Sequence, residues 1–285
     1  MKGKVTNMGM KASNKIATFF KYFVLILVGI IMISATFKDN SEIFAGISLW
    51  IKKPTLDGYR NALNNFGGSI NILQAMLNTY SYVIPKVICT VVSACIAAYG
   101  FGRFDFPGRK LLFNIMLATL FLPQVVLNVP QYLLYNKFGW VDSPFYLAIW
   151  VHCAFATETY FVYQLVQFMR NVPRDLDEAA AIDGCSSFQT LYKVIVPMLG
   201  PALVSCALFQ FMWSCNDFMG PLLYVSTPGK YPMSLFVKLS MDGDTGFAWN
   251  KILALSLISI LPQLIVFFCA QDQFVEGISA GAVKG

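Results

Sequence analysis

Lys86, Glu158 and Asp217 each stand inside a long apolar stretch of this 285-residue sequence. A charge in such surroundings is costly to hold, so each marks either a polar pathway or a buried pair. Glu158, Trp213, Asn216 and Asp217 form the candidate solute pathway. Their carboxylates and amide can hydrogen-bond hydroxyl groups, and the indole face can stack on a ring. The competing reading is structural, with Lys86 paired to Glu158 or to a partner chain. Asn78 and Asn216 suit hydrogen bonds between helices, each contributing about 0.6 kcal/mol.

Other chemistry has little to work with. The one histidine, His152, reads as a core residue and HExxH does not occur; GxSxG matches only at Gly277-Ile278-Ser279-Ala280-Gly281, beyond the last apolar segment, so no familiar catalytic pair can be assembled. No GxxxxGK[ST] run is present to cradle a nucleotide phosphate. The seven cysteines (Cys89, Cys95, Cys153, Cys185, Cys206, Cys215 and Cys269) form no CxxC pair. They read as small apolar packing residues, and no metal site is expected. The basic residues are scattered, so no nucleic-acid face forms.

The elements that must position these residues are membrane helices. Apolar residues make up 56% of the chain and charged residues 13%, with mean hydropathy +0.59. A soluble domain carries about 25% charged residues, so the chain reads as an all-α polytopic membrane protein. Six segments approach the length of about 20 apolar residues that crosses a bilayer: 16–37, 78–101, 111–129, 145–169, 198–225 and 252–270. The first is too long for the apolar core of a cleaved signal peptide. Pro123 and Pro130 are expected to kink the third span and its exit. Placing both termini in the cytoplasm leaves twelve Lys and Arg residues inside and eight outside, and the compact basic loop at 101–110 weighs most. Trp50, Trp140 and Trp249 then fall on the external side, as an aromatic belt would. The expected organisation is one membrane domain over 1–285 with a polar cytoplasmic loop at 174–197.

That loop reads RDLDEAAAIDGCSSFQTLYKVIVP. Pro173 suits a first helical turn. Asp175, Asp177 and Glu178 suit the positive end of a helix dipole. Ala179, Ala180 and Ala181 favour helix and allow a partner backbone to come close. Gly184 ends this helix in a left-handed conformation, and Ser186 or Ser187 caps the next, which runs to Pro197. A connector lying on lipid headgroups would instead carry a Lys/Arg-rich face. Here the first helix is acidic, which favours docking to a protein.

Glu178-Ala179-Ala180, then Gly184 four residues on and Pro197 in register, resembles the EAA loop of bacterial ABC importer permeases. Val194 and Val196 replace the Ile and Leu of that pattern, keeping it apolar. Ala97-Ala98-Tyr99-Gly100-Phe101-Gly102-Arg103 with Phe106-Pro107-Gly108-Arg109 is similar to the "AYAFAR…FPGR" element of carbohydrate-type permeases. Phe37-Lys38, Tyr59, Trp213 to Phe218 and the terminal Gly281 to Gly285 match further elements in order. The likeness covers nearly the whole chain from about Phe37 and is strongest to the smaller permease subunit of maltose- and multiple-sugar-type importers.

The resemblance implies a type I ABC importer permease in a bacterial plasma (inner) membrane. Its implied partners are a second homologous permease, a cytoplasmic ATPase dimer, an extracytoplasmic sugar-binding protein, membrane lipid and a sugar. ATP and Mg would sit on the ATPase, with no cofactor in this chain. Asp177, Glu178, Ala179, Ala180, Asp183 and Gly184 would couple to the ATPase, Glu178 meeting an arginine there. The tail Val283, Lys284 and Gly285 would reach the ATPase, and the loop at 226–250 would face the binding protein. The alternatives are the same importer class for a polyol or glycerophosphodiester, or an ion-driven secondary transporter. The latter predicts matched Gly/Pro interruptions in two halves, which the sequence does not present.

Overall fold

The computed structural model describes residues 18–282 apart from 19, 25, 47, 64–69 and 242–247, and only the backbone of 273–282. The described residues are helical, with one isolated bridge between Lys38 and Pro54 and no strand. In chain order the helices are α1 (Phe20–Thr36), α2 (Asn40–Phe44), α3 (Asp57–Leu63), α4 (Ile72–Arg103), α5 (Arg109–Thr119), α6 (Gln124–Lys137) and α7 (Leu147–Trp150). They continue with α8 (Thr159–Met169), α9 (Asp175–Ile182), α10 (Ser187–Thr190), α11 (Val196–Met198), α12 (Gly200–Cys215), α13 (Met219–Tyr224), α14 (Met233–Leu239) and α15 (Trp249–Ala282).

Two helices are long and apolar enough to span a membrane alone, α4 and the Trp249–Asp272 part of α15. At 1.5 Å per residue, the 32 residues of α4 exceed a hydrocarbon core of about 30 Å. They contain the expected second and sixth spans, and part of the first lies outside the described residues. The third segment is bent, with α5 and α6 meeting at 99°, and the fifth, 198–225, is entered through an 80° bend between the helical run Ser187–Met198 and α12 and is interrupted again between α12 and α13. Each bend has a local cause. Pro123 disfavours helical geometry at Leu122 and caps α6 from outside, whereas Pro130 is carried within that helix. Pro201, next to Gly200, lacks the N–H that would continue the ladder across Leu199.

The fourth segment departs from the expected continuous span. After α7 a 3-10 turn, Val151–Phe155, leads to Ala156 at φ +55, and a regular helix resumes only at α8. The break falls on Ala156, Thr157 and Glu158, with no Gly or Pro in the stretch 151–159 to announce it.

The chain divides into two compact units, residues 1–72 with 237–260 and residues 73–236 with 261–285. In the first unit, Phe37 packs on Tyr59 with ring centroids 5.3 Å apart, and Thr36 Oγ1 lies 2.8 Å from the Tyr59 hydroxyl. The buried Lys38 ammonium donates to the Ser48 carbonyl. Gly58 faces Asn250 so closely that a Cβ there would lie 2.6 Å from its carbonyl oxygen.

In the second unit a core forms where Ala94, Ala98 and Tyr99 of α4 meet Phe161, Val162, Leu165 and Met169 of α8 and Ala202 and Cys206 of α12. Small residues on α4 allow this approach. A Cβ on Gly102 would lie 3.3 Å from Met169 Sδ. A second cluster gathers Tyr82, Val83, Tyr135, Tyr146, Ile149, Cys215 and Tyr224.

Candidate functional site: an exposed docking loop and buried polar residues

The loop folds as its residue types require. Asp175, Asp177 and Glu178 occupy the first turn of α9, and Pro173 lies just outside it, one residue before the N-cap Arg174. Gly184 adopts φ +76. The Cys185 amide donates to the Ala180 carbonyl (2.9 Å) and the Gly184 amide to the Ala181 carbonyl (3.1 Å), the paired bonds of a Schellman C-cap. Ser186 then caps α10 reciprocally with Gln189: the Ser186 amide donates to Gln189 Oε1 (2.8 Å) and the Gln189 amide to Ser186 Oγ (3.4 Å). A π-helical turn, Leu191–Ile195, follows, burying Leu191 and Ile195.

The loop presents an outward face of mixed character. Glu178, Ala179, Ala181, Asp183 and Gly184 are exposed, while Ala180 is buried. Beside them Ile182, Phe188 and Tyr192 are 87%, 71% and 69% exposed. Apolar side chains this exposed, flanked by acidic ones, make a surface suited to protein contact.

Asp177 turns the other way. Its Oδ2 lies 3.2 Å from Arg103 Nε, and the side chains are 23% and 7% exposed. Arg103 Nη2 also donates to the Val172 carbonyl (3.0 Å). A cleft of about 260 Å³ opens there, lined by Tyr99, Arg103, Arg174, Asp177, Glu178 and Ala181 among others.

The four candidate pathway residues divide. Trp213, half-exposed, packs against Tyr160 and Phe161 at 5.3 Å each. Asn216 Nδ2 donates to the Met212 carbonyl (2.8 Å) and to Gln263 Oε1 (3.1 Å), an interhelical bond of the kind expected. Asp217 Oδ2 lies 4.0 Å from Lys86 Nζ, and its Oδ1 accepts from the Gly220 amide (2.9 Å). Lys86 is thus paired with Asp217 rather than with Glu158. Glu158, at the break before α8, accepts from Cys153 Sγ at 3.5 Å. With His152 these two residues bring three possible metal-ligand atoms within 4.8 Å of one another. The thiol–carboxylate hydrogen bond accounts for two of the three, and the His152 ring stacks on Tyr135 while its buried Nδ1 has no hydrogen-bond partner among the described residues.

The sequence had not singled out Asp142, at φ +52 between α6 and α7. Its Oδ1 accepts from the Ser226 and Thr227 amides (3.1 Å each), its Oδ2 from Thr227 Oγ1 (2.5 Å), and Lys230 Nζ stands 3.4 Å away. Burial alone would raise this carboxyl, but the Thr227 and Ser226 donors and Lys230 outweigh it and hold the pKa below the ordinary value. The only sequence signal was the turn-forming run Asp142-Ser143-Pro144 in the short connection after Gly139. The tail residues Val283, Lys284 and Gly285 lie outside the described residues.

Membrane-length helices joined by an exposed acidic, alanine-rich loop are the architecture of an α-helical membrane protein. Residues 90–275 match the model of the "Binding-protein-dependent transport system inner membrane component" family, and the chain belongs to that family. It is a non-catalytic ABC transporter permease subunit. It is 34% identical to the alpha-glucoside transport system permease protein AglG of Rhizobium meliloti over 81% of this chain and 60% of AglG, so it spans less than two thirds of that relative. It is also 34% identical to the osmoprotective compounds uptake permease protein GgtD of Synechocystis sp., over 78% of this chain and 75% of GgtD. A bacterial ABC transporter involved in the import of the acidic polysaccharide alginate, solved by crystallography, superimposes with TM-score 0.75 over 90% of this chain and 94% of that one. At 19% identity that likeness is one of fold.

Proposed function

We propose that this chain is the smaller permease subunit of an ATP-driven, binding-protein-dependent sugar importer. It works as one transmembrane domain in a bacterial plasma membrane with both termini cytoplasmic. It pairs with a second homologous permease, two copies of a cytoplasmic ATPase engage the pair, and an extracytoplasmic binding protein delivers the sugar. ATP and Mg act on the ATPase, and this chain needs no cofactor of its own.

The observation that carries the reading is the 174–197 loop, a capped helical knob whose exposed face is acidic, small and apolar in turn. Glu178 meets a cationic side chain of the ATPase, the exposed Ala179 and Ala181 allow close approach while Ala180 is buried against its own chain, and Gly184 sets the angle to α10. Closure of the ATPase dimer on ATP draws the knobs of the two permeases together and opens the pair outward, and hydrolysis resets them. The tail at 283–285 reaches the same interface, and the loop within 226–250 faces the binding protein. Trp213 and its aromatic neighbours offer faces to a sugar ring along the pathway.

A second reading changes only the cargo. Similarity to a permease for osmoprotective compounds supports a non-sugar solute, such as a polyol or a glycerophosphodiester, as the alternative. The test is ATPase activity of the assembled importer in lipid, with the binding protein present, across a panel of sugars and polyols. Stimulation by one sugar supports the first reading, and stimulation by a polyol alone the second.

A further inference from the structure

We infer that Arg103 and Asp177 form an internal strut that carries movement of the docking loop into the membrane helix α4. The inference rests on the coupling reading above and assigns these two side chains a positioning role within the chain.

Arg103 is the last residue of α4, the same helix that carries Lys86. Its guanidinium reaches two points on the opposing segment: the Val172 carbonyl in the turn after α8, and the Asp177 carboxylate in the first turn of α9. Asp177 and Glu178 are neighbours in sequence but about 100° apart around the helix. One is therefore exposed to a partner while the other faces the chain's own interior. Neither Asp177 oxygen has a hydrogen-bond partner among the described residues, so the Arg103 ion pair is the contact that offsets its burial.

A short non-helical turn, residues 170–174, links α8 to α9 and would by itself absorb much of any push on α9. The guanidinium bridges that turn. Met169 packed over Gly102 holds the end of α8 against α4 at the same level. A force on the exposed face of α9 therefore has a direct route to α4 through this charged contact.

The experiment measures solute moved per ATP hydrolysed in proteoliposomes of the whole importer, at equal amounts of assembled complex. Arg103→Lys keeps the charge but cannot grip both partners, and Asp177→Asn keeps the shape but loses the charge. Both should lower the ratio by about fivefold or more, the low end of an ordinary coupling free energy. Arg103→Lys should leave ATPase docking unchanged, and the exchanged pair Arg103→Asp with Asp177→Arg should recover most of the ratio. A merely structural pair would change the yield of complex and leave the ratio alone. Unchanged ratios in both single variants, with Glu178→Ala still uncoupling, would overturn the strut alone. If Glu178→Ala also changes nothing, the coupling reading itself fails.

Discussion

Lys86 Nζ stands 4.0 Å from Asp217 Oδ2, linking the middle of α4 to the break between α12 and α13. The side chains are 12% and 25% exposed, so both charges are largely withdrawn from water. Removing one partner strands the other. Lys86→Met or Asp217→Asn alone should cost about 2 kcal/mol, discounted from the roughly 3–5 kcal/mol of a fully buried pair because Asp217 keeps some solvent. The double variant should recover much of that loss. Thermal unfolding in detergent of the four proteins checks this. Additive losses would mean that the two charges do not interact.

Gly184 closes α9 at φ +76, and a Cβ built there meets nothing within 4 Å. The cost of Gly184→Ala is therefore conformational alone, about 1 kcal/mol. Gly184→Pro additionally removes the N–H bonded to Ala181 and cannot reach positive φ. Expected is a graded loss of transport, slight for Ala and near-complete for Pro, with membrane insertion intact. Transport assays beside a membrane-fraction blot read both. Full transport by the Pro variant would show that the turn geometry is dispensable.

The Asp142 clamp gives a pH signature. A carboxyl held below its ordinary value of 3.8 stabilises the folded form above that pH, and the contribution fades as pH falls through the lower, folded value. Asp142→Asn should be less stable than the wild type at neutral pH, and the two should converge as pH falls through the lowered, folded value. Proteolysis of the 225–231 segment, compared across pH, is the measurement. A gap between the two proteins that stays constant with pH would place the stabilisation elsewhere.

Much of this architecture was legible because it rests on composition and on residues with one physical use. The run 78–101 is apolar enough to be the body of α4 whatever packs on it, and Gly184 with Ser186 or Ser187 spells a helix end and a helix start within four residues. What was not legible depends on neighbours distant in sequence. No Gly or Pro in 151–159 marks the break at Ala156–Glu158, where Ala156 adopts φ +55. Lys86 could be read as needing a partner, but Glu158 and Asp217 were equal in kind, and only the fold chooses Asp217. Asp177 and Glu178 look alike in sequence, and the position of Arg103 at the end of α4 separates one from the other.

The most direct test of the docking loop is Glu178→Ala in the reconstituted importer, scored for ATPase binding, ATP hydrolysis and solute uptake together. Glu178 is exposed and lies outside the core, so the variant should fold and insert normally. Uptake should collapse while the permease remains assembled with its partner permease. Normal uptake with wild-type ATPase binding would contradict it.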